Sequence, residues 1–122
     1  MNKAQALYSF WASFGWAAYD QTTTPEDAPM PRITYQVETD SFDNTLLLSA
    51  SLWDKSTSWE RISQKVEEIS RAIQNMNPPS VAIDGGRMFI SKGTPFAMRM
   101  ADVDSSIRRI VLNINVEFMT QY

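Results

Sequence analysis

The chain has 122 residues, of which 43% are hydrophobic and 20% charged, a composition expected of one soluble globular domain spanning residues 1–122 and able to bury a core without staples. It contains no Cys and no His, which excludes disulfides, thiolate nucleophiles, Ser-His pairs and ordinary zinc sites and leaves only carboxylate, Lys, Tyr or hydroxyl chemistry. Its formal net charge of −3 argues against a free-standing nucleic-acid binder, which would draw its phosphate affinity from a surplus of Lys and Arg.

Residues 3–14 predict a short amphipathic helix stopped by Gly15, with Leu7, Phe10, Trp11 and Phe14 forming one aromatic-rich stripe. The same spacing, interrupted by Gln5, Ser9 and Ser13, argues against a signal peptide over residues 1–18. No apolar run reaches the roughly 18 residues of a membrane-spanning helix. The stretch 16–31 carries Pro25, Pro29, Pro31 and the acids Asp20, Glu26 and Asp27. It reads as a long Pro-rich acidic loop, too rich in proline for a helix or a central strand, and of a length associated with function or with ordering by a partner.

Arg32 to Glu38 alternates, with Ile33, Tyr35 and Val37 on one face, and Thr45 to Trp53 alternates likewise. Asp40 to Asn44 supplies turn residues between them, so the pair reads as an antiparallel hairpin. Thr57 and Glu60 have the spacing of a capping box, and Trp59, Ile62, Val66, Ile69, Ile73 and Met76 then recur every three or four residues until Pro78-Pro79. A second hairpin follows, from Ser80 to Ile83 and from Arg87 to Ser91 around Asp84-Gly85-Gly86. Lys92-Gly93-Thr94-Pro95 reads as a break, Phe96 to Ala101 is open between strand and extended loop, and Ile110 to Phe118 is a long strand with one strongly apolar face. The expected fold is α+β: a mainly antiparallel sheet of about five strands with two helices packed on it, in the order α-β-β-α-β-β-β.

No reaction centre emerges from this pattern. Asp102, Asp104 and Asp84 have the chemistry of a hard-cation site, but Asp-x-Asp-Ser-Ser before a strand and Asp-Gly-Gly between strands are ordinary turn chemistry. Lys92-Gly93-Thr94 lacks the first glycine of a phosphate loop. No metal or cofactor is expected, and no catalytic residue.

Interface residues are the better candidates: Trp16, Tyr19, Glu26, Asp27, Arg32, Trp53, Arg87, Phe96 and Arg109. Trp16, Tyr19, Trp53 and Phe96, with Phe42, lie in predicted loops or at element ends, where aromatics serve either as partner anchors or as a local core under the long loop. Charge is segregated along the chain. Asp20 to Asp43 holds six acids against Arg32 alone, whereas Val81 to Tyr122 holds five basic residues against four acidic ones. Arg87 and Arg109, expected on sheet edges, could pair with the acidic stretch of a neighbouring copy, which would favour a ring of like subunits.

Read together, Ala28-Pro29-Met30-Pro31-Arg32-Ile33-Thr34-Tyr35-Gln36, Leu52-Trp53-Asp54-Lys55-Ser56-Thr57-Ser58-Trp59, Gly93-Thr94-Pro95-Phe96 and the run Arg108 to Phe118 resemble the small tail-terminator, tail-completion or minor capsid proteins of long-tailed bacteriophages and phage-like particles. The resemblance implies a non-enzymatic subunit that forms a ring, usually a hexamer, at the head-proximal end of the tail tube. There it would end tube growth and join the tail to the head connector, in the virion after assembly in the bacterial cytoplasm. Its partners would be the tail tube protein and the head–tail connector protein, with DNA only passing through the channel and no membrane involved. The competing expectation is a small α+β ligand-binding or regulatory domain, marked by a concave apolar pocket with a few convergent polar groups. Within the ring reading, Glu26 and Asp27 either border the channel, where they would repel DNA phosphates, or dock onto an adjacent subunit near Arg87 or Arg109.

Overall fold

A reciprocal cap opens the first helix, α1 (Lys3–Ala12): the Asn2 side chain accepts from the Gln5 N–H at 2.8 Å and the Gln5 side chain accepts from the Asn2 N–H at 2.9 Å. The computed structural model describes residues 1–39, 45–75 and 80–120. The turn expected at Asp40 to Asn44 lies outside these residues, as do Phe42, Met76 and Pro78-Pro79. The helix ends two residues earlier than the apolar spacing suggests, and Gly15 follows at φ +85°, a conformation that side-chain-bearing residues rarely adopt. Leu7, Phe10, Trp11 and Phe14 are all buried, and the Phe10 ring meets Trp11 and Phe14 edge-on.

The expected long loop begins with a strand. β1 (Ala17–Asp20) pairs in parallel with β2 (Arg32–Tyr35) at the sheet edge. Four residues are too few to establish a period of two, and the pairing that creates the strand comes from a segment fifteen positions away. The loop is therefore confined to 21–31. β2 itself is shorter than its alternation, but Gln36 continues the ladder by giving its N–H to Ser49 O and accepting the Ser49 N–H on its side chain.

β3 (Thr45–Lys55) pairs antiparallel with both β2 and β6 (Ile107–Thr120), and β6 pairs with β5 (Gly86–Met100), whose other neighbour is the edge strand β4 (Ser80–Ile83). The result is α+β with six strands in the order β1-β2-β3-β6-β5-β4, mixed rather than purely antiparallel. The predicted break at Lys92 to Pro95 is a bulge inside one strand. Lys92 opposes Ile114 and Ala97 opposes Leu112, so four residues stand against Asn113. The Asn113 side-chain amide donates to Pro95 O at 2.9 Å, and a Cβ on Gly93 would come within 2.9 Å of Asn113, so the backbones approach there as only glycine allows.

α2 (Glu60–Asn75) buries Ile62, Ile69 and Ile73, as its apolar stripe predicts. Its start differs from the expected box. Glu60 is the first helical residue, its N–H is taken by the Ser58 hydroxyl at 3.1 Å, and Thr57 contributes only its carbonyl, which accepts from Arg108. Both helices pack on one face of the sheet, in a single cluster with Ile33, Tyr35, Leu48, Leu52, Met88, Ile90 and the inward row Ile110, Leu112, Ile114 and Val116. α1 touches both edge strands, β1 and β4.

Two outcomes follow. Unfolding free energies should rank Ile69→Ala well below wild type, by about 2–5 kcal/mol for the cavity opened, then Ser58→Ala by about 1 kcal/mol, with Thr57→Ala close to neutral. The second concerns alkaline pH: burial first, then the Asp20 carboxylate and Tyr8, hold the Tyr35 phenol above its ordinary value. The folded state thus keeps that proton while the unfolded chain releases it, so stability is full below about pH 10 and declines as pH rises from there. Tyr35→Phe should flatten the decline measured by denaturant unfolding.

Candidate interaction surface

The period of two sends Leu46, Leu48, Ala50 and Leu52 of β3 toward the helices and Leu47, Ser49, Ser51 and Trp53 to the opposite, helix-free face. Strand register then aligns Arg32, Trp53, Arg109 and Met100 in one row across β2, β3, β6 and β5 on that face. The Arg32 guanidinium lies 5.5 Å and that of Arg109 4.6 Å from the Trp53 ring, one from each neighbouring strand. The indole N–H donates to the Thr34 hydroxyl at 2.9 Å, which fixes the ring between them.

Each guanidinium is also held by hydrogen bonds. Arg109 gives Nε–H and Nη2–H to the Ser51 hydroxyl at 3.1 and 3.0 Å, and Arg32 gives Nη1–H to the Ala28 carbonyl. The Arg32 Nε–H is buried without an acceptor. Among the described residues neither arginine has a carboxylate partner within ion-pairing distance; the side-chain ion pairs are Arg61–Asp54, Lys65–Glu68 and Arg71–Glu67. Cation–π contact contributes about 0.5–1 kcal/mol at an exposed site, enough to hold the two charges in place and not enough to neutralise them.

Two positions further along lies a second row on the same face: Tyr19, Thr34, Ser51, Val111 and Met98. Met98 is 42% and Met100 38% exposed, and Leu47 and Met119 on the same face are 60% and 50% exposed. The face thus combines exposed apolar side chains with two fixed, unneutralised guanidinium groups, the composition enriched at the centre of protein interfaces.

Sequence reasoning named Arg32, Trp53, Arg109 and Tyr19 as scattered candidates, and the register brings them onto one face. It does not bring the others there. Arg109 is on an inner strand, not on an edge as expected, because β6 lies between β3 and β5. Arg87 also misses the edge: it sits on β5 inside β4, donates to Ser80 Oγ, and pairs with Met119 at the far end of β6, roughly 30 Å from Arg109 along the strand. Trp16 and Phe96 pack partly buried against the core, each under a lysine, Lys65 and Lys92 respectively. Glu26 and Asp27 are exposed in the 21–31 loop. Met98 and Met100 were missed because Pro95 obscured the alternation that follows it. A second stack was missed as well: Trp59, ahead of α2, lies between Arg99 at 4.6 Å and Arg108 at 5.2 Å.

The acidic triplet is dispersed. Asp102 accepts from the Asp104 N–H, and Asp104 from the Ser106 N–H and hydroxyl, bonds that hold the Asp104 carboxyl below its ordinary range. Asp84 is at the other end of β5. A surface cleft of about 430 Å³ beside Asn2, Lys3 and Thr39 lies apart from the Trp53 row, and one of about 250 Å³ between α2 and β5 borders the helix-free face at Met98. Neither the protein-family models nor the curated proteins compared with this sequence gave a match.

If the Trp53 row is built as described, Arg109→Ala should lower stability by about 1–2 kcal/mol, the sum of a cation–π contact and hydrogen bonds to Ser51. Arg87→Ala, exposed at the far end, should change it by less than about 0.5 kcal/mol. Parallel urea titrations of the two variants measure the difference, and equal effects would contradict the placement.

Proposed function

We propose that this chain is a structural assembly subunit of a phage or phage-like particle, forming a ring at the head-proximal end of the tail tube that ends tube growth and joins the tail to the head connector. The observation that supports the reading is the helix-free face of the sheet. A chain working alone would keep Leu47, Met98, Met100 and Met119 in water beside two arginines without counter-charges, whereas a subunit of an assembly covers such a face. The sequence resemblance over residues 28–118 supplies the kind of assembly. In this reading the ring is a hexamer, its neighbours are the tail tube protein and the head–tail connector protein, and DNA passes through without being read.

Deleting the coding sequence in a host that produces the particles tests this directly. The expected result is headless tails of uncontrolled length in electron micrographs, with length control and head joining restored by the wild-type chain. In restored particles, antibody label should sit at the end of the tube nearest the head. Normal particles after deletion, or label along the tube or on the capsid, would overturn the assignment.

A further inference from the structure

The Arg32–Trp53–Arg109 row has fixed positive charge and no acid of its own, so its chemistry calls for an acidic segment with apolar or proline residues to cover Met98 and Met100. Such a segment is present in the same chain. In the 21–31 loop, Glu26 and Asp27 are exposed, make no ion pair or hydrogen bond with any described residue, and are flanked by Pro25 and Pro29. The loop's shape is set locally: Ala28 N–H bonds Pro25 O at 3.1 Å, Thr24 and Thr23 bond Asp20 O, and Arg32 holds Ala28 O. Built this way it exposes both acidic residues, while Arg32 gives Nη1–H to the loop's base, keeps Nε buried, and has Nη2 without a hydrogen bond among the described residues.

We infer that the Glu26–Asp27 loop of one copy docks on the Arg32–Trp53–Arg109 row of the next, forming a head-to-tail junction. Taken head to tail, with the loop of each copy on the row of the next, the contact is heterologous, and repeating it generates a ring if the rotation closes. A guanidinium whose fork is already oriented by stacking accepts a carboxylate with little further ordering, which favours arginine here over a mobile lysine. Exposed apolar area around the row, at Met98 and Met100, would be covered by the prolines beside the carboxylates. This inference rests on the assembly reading above and specifies its junction; phosphate polymers are disfavoured as occupants because the chain's net charge is −3.

Complementary variants of the full chain test it. Glu26→Gln with Asp27→Asn removes the loop's charge and leaves the row intact. Met100→Glu places a carboxylate beside Arg109, of the same sign as the docking loop, at an exposed position, and Arg109→Gln removes a guanidinium. Sedimentation of concentrated protein at low salt should show species larger than a dimer for wild type, dispersing as salt is raised. Each variant alone should be monomeric, and an equal mixture of the loop variant with either row variant should give dimers and nothing larger, because one functional junction remains. Four results would overturn the proposal: wild type that stays monomeric under these conditions, wild-type dimers indifferent to both kinds of variant, no dimer in the mixture, or binding of a duplex oligonucleotide to the row in place of self-association. The deletion experiment is independent of these outcomes. Normal particles together with charge-dependent junctions would remove the tail reading and keep the junction, and uncontrolled tails with a monomeric chain would do the reverse.

Discussion

The carboxylate of Asp54 is fully buried at the end of β3, on the face that carries the helices, and a charge in that position is tolerated only with a partner. Arg61, in the first turn of α2, is that partner: its Nε donates to Oδ2 at 3.0 Å, its Nη2 donates to Oδ1, and the contact holds the Arg61 guanidinium above its ordinary pKa. The pair ties the start of α2 to the sheet across the four residues, 56–59, that separate it from β3. With α2 tied there and α1 leaning on both edge strands, every helix of the described chain is on one side. The bare face is the consequence of that arrangement, since the chain has no third helix among its described residues with which to cover it.

The same corner explains why positive charge concentrates where it does. Arg108 and Arg109 are neighbours in β6, so the period of two sends them to opposite faces. Arg108 stacks on Trp59 and ties the β3–α2 connection through Thr57 O, while Arg109 stacks on Trp53. Arg99 and Arg32 complete the two stacks from β5 and β2. Four guanidinium groups thus gather around two tryptophans at one end of the sheet in a protein of net negative charge. Two of the four, Arg32 and Arg109, lie on the helix-free face, and Arg99 and Arg108 lie on the other.

Much of this is legible in the sequence. The stripe of α2, the inward alternation of β6 and the aromatic face of α1 are periodic over ten residues or more, long enough for burial to dominate local preference. Short or interrupted elements were not legible. β1 exists through its pairing with β2, and β5 continues past Pro95 because Asn113 bridges the bulge, both decided by partners distant in sequence. The cap of α1 has a readable signature in Asn2 and Gln5, whereas the cap expected at Thr57 lies at Ser58 because the helix starts at Glu60, two residues later than the Thr-x-x-Glu spacing implies. Arg32, Trp53 and Arg109 could be named individually from residue type, but only the strand order turns them into a row. The edge position expected for Arg109 is replaced by an inner one because β6 lies between β3 and β5, and that position is what brings it onto Trp53.

A junction of exposed carboxylates on exposed guanidinium groups is weak by itself, since surface ion pairs contribute about 0–1 kcal/mol each and are screened by salt. Burial of Met98 and Met100 adds to it at about 25 cal/mol per Å² of apolar area removed from water, less the cost of bringing two bodies together. For the loop-to-row contact inferred above, this balance separates the dilute chain from the assembled one. An open pair of subunits has one junction set against a full association cost, whereas closing a ring adds a junction between parts already held close, at an effective concentration far above that in solution. A platform such as the end of a tube would have the same effect by gathering subunits before the last junction forms. The weakness of each contact then serves the proposed function, because rings would be stable on the platform or in concentrated protein at low salt, and sparse in dilute solution at higher salt.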